Sequence, residues 1–216
     1  MLFDNLPEKY FVIDFENTGG SLWYGHKITA YGICIVEKIN ERYEITAEYM
    51  NYINPCRSIP KFIEDLIGIR TEDVNNDKYP VIEIEFDKIE KLITDDMIFT
   101  AHCAGVDYSM YNYQYYSKYN CDFETLVIDT CSLARKILNL KKAGIADAAV
   151  FLGIDDCRHH QPDFDANIAA RILIKSLEIC ESNTGARKIF ESCIKKFPLP
   201  KKKKRKKVYA NDLILE

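Results

Sequence analysis

Tyr10-Phe11-Val12-Ile13-Asp14-Phe15-Glu16-Asn17-Thr18-Gly19 sets a β-branched and aromatic run directly against two carboxylates. The apolar residues predict a buried strand from Tyr10 to Glu16. Successive side chains on a strand point to opposite faces, so Asp14 and Glu16 project together while Ile13 and Phe15 face the other layer. Acidic residues are depleted from strands and seldom buried without a partner. Two anions held side by side in this way call for cations, unless the strand simply ends in solvated acids.

Working outward, Ile28 to Glu37 is a second apolar run and Tyr43 to Ile53 alternates, which gives three early strands joined by short turns. Ile82, Phe86, Ile89 and Ile93 recur at helical spacing, Met97 to His102 reads as a buried strand, and Val106 to Tyr116 as a helix. A short strand at Leu126 to Asp129 follows, then helices near Cys131 to Leu138, Ile145 to Leu152 and Asp163 to Glu178. The fold class is therefore α/β, a mixed five-stranded sheet flanked by helices. A last amphipathic helix, with Ile189, Phe190, Cys193, Ile194 and Phe197 on one stripe, is expected to stop at Pro198 and Pro200. The organisation expected is one main domain over 1–182, a C-terminal helix over 183–198 and a disordered basic tail over 199–216.

The 216 residues, 47% of them hydrophobic, are enough for one substantial core. No run of 18 apolar residues occurs, and the first residues lack the charged-then-apolar layout of a signal peptide, so a soluble intracellular protein with no membrane partner is expected. Eight cysteines are scattered without a Cys-x-x-Cys pair, which reads as reduced core thiols and not as zinc ligands or bridges. Positions 201–207 hold seven of the 29 basic residues, leaving residues 1–200 with 22 basic against 31 acidic side chains, a charge of −9. An acidic body argues weakly against nucleic acid, although a carboxylate-lined metal site adds to the count before its cations bind.

Two further clusters join the first. Ala101-His102-Cys103-Ala104-Gly105-Val106-Asp107 places an aspartate where a strand gives way to a helix; alone, Asp107 reads as a helix N-cap. His159-His160-Gln161-Pro162-Asp163-Phe164-Asp165 places His160 on an irregular segment and Asp165 in the first turns of a helix whose Ala166, Ala169 and Ala170 allow close packing. A general base needs freedom and a near-neutral pKa, and His160 on its irregular segment is the candidate, His159 being the less favoured of the pair; alone it also reads as an idle surface histidine. Four carboxylates can hold two hard divalent cations through oxygen, leaving one imidazole to take a proton from water. Tyr108, Tyr111, Tyr115 and Tyr119 follow helical spacing and read first as packing, with a base-stacking platform as the alternative.

These residues resemble the DEDDh family of 3′-to-5′ exonucleases over residues 9 to 178. The family motif Asp-x-Glu-Thr-Thr-Gly is matched by Asp14-Phe15-Glu16-Asn17-Thr18-Gly19, His-Asn-Ala-x-Phe-Asp by His102 to Asp107, and His-x4-Asp by His160 to Asp165. Ile53-Asn54-Pro55, Ile59-Pro60, Gly68-Ile69-Arg70-Thr71 and Ile128-Asp129-Thr130 resemble weaker family features; Cys103 stands for the usual Asn and Asn17 for a Thr. The resemblance implies a ribonuclease-H-like fold, two Mg²⁺ or Mn²⁺ ions held by Asp14, Glu16, Asp107 and Asp165, and His160 as general base. It also implies release of nucleoside 5′-monophosphates from a single-stranded DNA or RNA 3′ end, contacted by the Phe15 backbone, Asn17, Thr18 and His102. A polymerase or repair partner fits such an enzyme, and a non-cleaving module that binds a 3′ end or a polymerase is the rival reading. Abundant Lys, Ile, Asn and Tyr point to an AT-rich genome and a bacterial cytoplasm. The basic run is open to three readings: a nuclear import signal, which would make the protein nuclear, a phosphate-binding arm, or a solvated tail.

Overall fold

The computed structural model describes residues 5–154 and 160–196 of the chain. His159, Cys157, Phe197, Pro198 and the basic run lie outside the described residues. Six strands form one mixed sheet: β1 (Lys9–Asn17), β2 (Ile28–Ile39), β3 (Arg42–Tyr52), β4 (Met97–Ala101), β5 (Leu126–Asp129) and β6 (Ile194–Lys196), in spatial order β3-β2-β1-β4-β5-β6. β1 and β2 pair antiparallel, as do β2 and β3, and β1, β4 and β5 run parallel. The β2–β3 hairpin turns on Asn40 and Glu41, both with positive φ, the pairing that suits the twist of a two-residue hairpin.

The helices are α1 (Lys61–Ile67), α2 (Thr71–Val74), α3 (Ile82–Ile89), α4 (Gly105–Tyr119), α5 (Thr130–Lys136), α6 (Ile145–Phe151), α7 (Pro162–Ser182) and α8 (Thr184–Cys193). Alternation along β1 divides the core as its pattern requires. Tyr10 and Val12 pack with α5, α6, α7 and α8, while Phe11, Ile13 and Phe15 pack with α3 and α4. Tyr108 and Tyr111 are buried against Phe11, Phe86 and Phe99, so that side of the α4 tyrosine stripe is core. Among the described residues no helix is long and apolar enough to cross a membrane.

Two features differ from the sequence reading. The last helix ends at Cys193, and Ile194–Lys196 pairs with β5 as a sixth strand, Ile194 opposite Ile128. The free edge of β5 offers unpaired backbone groups, and satisfying them wins over continuing the helix. The segment after α7 joins the main core, Phe190 and Cys193 being buried in the same cluster as Val12 and Ile128. Finally, α1 and α2 make a small core of their own, Ile59, Ile63, Ile67, Ile69 and Val74 against Ala30 of β2. Pro60 at the start of α1 and Gly68 at φ 70° beyond its end are the signals that could have found it.

Candidate active site

The carboxyl end of β1 carries Asp14 and Glu16 on the face covered by α7. Gly32 of β2 is paired with Asp14, and a Cβ placed on it would lie 2.0 Å from the Pro162 carbonyl oxygen and 2.5 Å from the Asp163 nitrogen. Only a residue without a side chain lets the first turn of α7 lie on the sheet here. Pro162 opens the helix in the position proline favours, and Asp163 and Asp165 fall in its first turn, where the helix dipole stabilises negative charge. The resulting approach brings Asp165 over the end of β1.

Asp107 arrives from the other side, in the first turn of α4, beyond the end of β4. It does not cap its helix: its Oδ1 accepts from the Phe15 backbone N–H at 2.9 Å, which fixes it to β1 between the two acids. Both β1 and β4 present their carboxyl ends here, the usual place for a ligand in an open sheet of parallel strands.

The electrostatics of the cluster follow from crowding. Burial, then the charges of Asp107, Glu16 and Asp165, push the Asp14 carboxyl well above its ordinary value. Burial, Asp165 and Asp107 push Glu16 up to about 8. Burial raises Asp107 to about 7 with help from Asp129 and Asp165, against the lowering effect of the Phe15 N–H. A set of oxygen donors that repel one another in this way fits hard divalent cations. Glu16, Asp165 and His160 offer ligand atoms that all lie within 4.8 Å of one another.

His160 sits on the lip. Its backbone N–H donates to Asp165 Oδ2 at 3.2 Å, its Nδ1 stands 3.9 Å from Glu16 Oε1, and 47% of its side chain is exposed. Its φ of 63° is unusual for a residue with a Cβ and aims the ring from outside the helix.

The remaining expected site residues are built into the walls. Asn17 Oδ1 accepts from Gly19 and Gly20 N–H at 2.6 and 2.8 Å, and its Nδ2 approaches Met110 Sδ of α4. Thr18 is buried, its Oγ1 accepting from Lys27 N–H. His102 stands apart from the carboxylates, with Nε2 2.8 Å from the Ala143 carbonyl and Nδ1 3.0 Å from Thr130 Oγ1. Asp129, which sequence reasoning left out of the site, accepts from Cys103 and Cys131 N–H and from Ser132 Oγ, joining the turn before α4 to the start of α5. Gly32 was also missed; a glycine inside an apolar strand was the available signal.

Comparisons with known proteins give the family and the fold. The family model described as exonuclease (RNase T) matches residues 11–173. The 3′-5′ exonuclease DinG of Bacillus subtilis is 30% identical over 172 residues, covering 79% of this chain and 18% of that protein. A PolC-type DNA polymerase III of Thermotoga maritima is 28% identical over 170 residues, covering 79% of this chain and 12% of its own length. The chain thus spans less than a fifth of these relatives. Among solved structures, the nuclease domain of the 3′ exonuclease 3′hExo, described as a DEDDh family member bound to rAMP, superposes with a TM-score of 0.62 at 19% identity, covering 82% of this chain and 94% of that one. At that identity the match speaks for the fold.

Proposed function

The chain belongs to the exonuclease family, with the DEDDh set of side chains, and from that premise we propose that it is a metal-dependent 3′-to-5′ exonuclease acting on single-stranded DNA or RNA. The observation that carries this reading is the convergence, at the carboxyl end of β1, of four carboxylates from three distant segments with an exposed histidine beside them.

Asp14, Glu16, Asp107 and Asp165 would hold two Mg²⁺ or Mn²⁺ ions. When bound, such ions neutralise phosphate charge and ease both the attack of water and the departure of the 3′ oxygen. The protein's own part is positioning and proton transfer. The Phe15 N–H keeps Asp107 turned to the site, and Gly32 keeps α7 low enough for Asp165 to reach it. As water attacks phosphorus, His160 takes its proton and the P–O3′ bond breaks; the departing 3′ oxygen takes a proton from solvent, to which the imidazolium returns its own, so a nucleoside 5′-monophosphate leaves and the shortened strand keeps a 3′-hydroxyl. The imidazolium so formed lies beside the Glu16 carboxylate, an opposite charge. Asn17 and Thr18 shape the loop that would meet the terminal nucleotide through backbone groups, and His102 acts as a positioning residue. Similarity to segments of much longer exonuclease and polymerase chains supports work alongside a replication or repair partner.

The test is the fate of 5′-labelled single-stranded DNA and RNA of one sequence with Mn²⁺ or EDTA. Stepwise 3′ shortening that needs Mn²⁺ and is lost in His160→Ala is expected, and the preferred sugar separates DNA from RNA roles. Tight binding of the strands without shortening would replace this reading with a non-cleaving module.

A further inference from the structure

The loop that follows Glu16 carries the chain's single tryptophan, and no step of the proposed hydrolysis uses it. In the short 3₁₀ turn Leu22–Tyr24, Leu22 is buried in the core while Trp23 and Tyr24 stay 41% and 71% exposed. Trp23 rests on α4, its ring centroid 4.9 Å from that of Tyr113 and nearly perpendicular to it, and 5.7 Å from that of Tyr116. We propose that Trp23 and Tyr24, backed by Tyr113 and Tyr116, form a stacking platform for bases of a single-stranded nucleic acid upstream of the nucleotide being removed. This inference rests on the exonuclease reading and adds where the rest of the strand lies.

Position favours the strand as the occupant. Trp23 lies seven residues beyond Glu16, on the loop that leaves the carboxylate site directly. Tyr113 and Tyr116 come six and nine residues after Asp107 on α4, which at about 1.5 Å per residue is about 9–14 Å along the helix. Bases stacked about 3.4 Å apart cover that distance in roughly three or four nucleotides. The platform is therefore beyond the terminal nucleotide and within reach of those behind it.

The loop is held in place before any strand arrives. The Thr18 N–H donates to the Lys27 carbonyl at 2.9 Å and the Lys27 N–H returns to Thr18 Oγ1 at 3.1 Å, which closes the loop at its base. Gly25, at φ 88°, ends the turn with its N–H on the Leu22 carbonyl. An indole already fixed by its neighbours loses little freedom when a base stacks on it. Charge points the same way. Arg57 is exposed and donates to the Gly25 carbonyl at 2.6 Å, and a guanidinium has five N–H donors, so others serve a phosphate. Lys27 adds a second cation at the base of the loop. Cations beside exposed aromatic rings, on an otherwise acidic body, suit a polyanion with flat bases. A duplex keeps its base faces stacked on one another and has none to offer, so the occupant is single-stranded.

Because Trp23 is the only tryptophan, its fluorescence reports the platform directly. Thymidine oligonucleotides of two and ten nucleotides are titrated into the full-length His160→Ala protein with Mg²⁺, and a 5′-fluorescein ten-mer gives total binding by anisotropy. Quenching of the indole that saturates with the ten-mer, and none with the dinucleotide, is expected. Trp23→Ala in the same background should weaken ten-mer binding about 5- to 150-fold, the worth of one stacked base, and Trp23→Phe, which keeps a ring, should restore most of it. A ten-mer that binds with the indole fluorescence unchanged, quenching that is complete with the dinucleotide, or undiminished ten-mer affinity in Trp23→Ala overturns this inference alone. A ten-mer that does not bind at all overturns the exonuclease reading with it.

Discussion

Asp14 illustrates how a single side chain couples stability to function. Its neighbours Asp107, Glu16 and Asp165 carry the same charge, so the metal-free site is a local source of repulsion. Asp14→Asn should therefore raise the melting temperature in EDTA, by about 2–4 °C for each kcal/mol of repulsion relieved in a chain of this size, while abolishing hydrolysis. A scanning calorimeter and a nuclease assay on the same sample check both halves. The pH dependence follows from the same residues. Glu16 and Asp107 are raised to about 8 and about 7, so between their ordinary range and these values the folded state holds more protons than the unfolded one. Stability of the metal-free protein should fall as pH rises from 6.5 to 8.5, and added Mg²⁺ should restore it most at the upper end. Thermal melts across that interval with and without Mg²⁺ measure the effect; a flat profile in EDTA would contradict the crowding. His160→Ala should slow hydrolysis about 100- to 10,000-fold, the usual contribution of a positioned base, with Mn²⁺ binding retained by calorimetry. Asp14 and Glu16 stood out in the sequence because acids in a strand break a local rule, whereas Asp107, Asp165 and His160 stood out only in company, through the resemblance of their motifs. Their supports did not: the Phe15 N–H that holds Asp107 is a backbone group, silent in any motif.

Strands and helices were placed within a few residues wherever hydrophobic period and length agreed, as in β5, read at Leu126 to Asp129 and found there. The failures are tertiary. α8 begins with the expected amphipathic pattern, but whether Ile194 continues a helix or joins a sheet depends on the open edge of β5, which lies more than 60 residues earlier. The seating of α7 on Gly32 is likewise a contact between distant segments, and it makes the sharpest prediction at this scale. Gly32→Ala should cost at least about 1–3 kcal/mol by overpacking and should impair hydrolysis more than stability, since the helix that yields carries Asp165. Urea unfolding beside kcat on the same variant distinguishes the two, and an active, unshifted variant would show that α7 does not rest on Gly32.

Across the whole molecule, the mixed sheet brings chain segments 14–16, 107 and 160–165 to the carboxyl ends of its interior strands, while the segment after residue 182 packs into the core cluster that holds Val12 and Ile128. Phe190 is fully buried there, and Phe190→Ala should cost about 3–5 kcal/mol, as loss of a core aromatic does, despite its distance in sequence from every motif. The fold class was legible because strands and helices alternate; the approach of Cys103 to Cys131, 28 residues apart, was not, since it exists only once β4 and β5 lie side by side. The central claim, that four converging carboxylates hold the cations on which 3′ hydrolysis depends, is tested most directly by the rate of mononucleotide release from single-stranded DNA or RNA across a Mn²⁺ titration, for the unaltered protein and for Asp165→Asn. The account predicts a rate that is absent in EDTA, rises with Mn²⁺ to saturation, and is missing from Asp165→Asn over the same range; release in EDTA, or an undiminished rate in the variant, would contradict it.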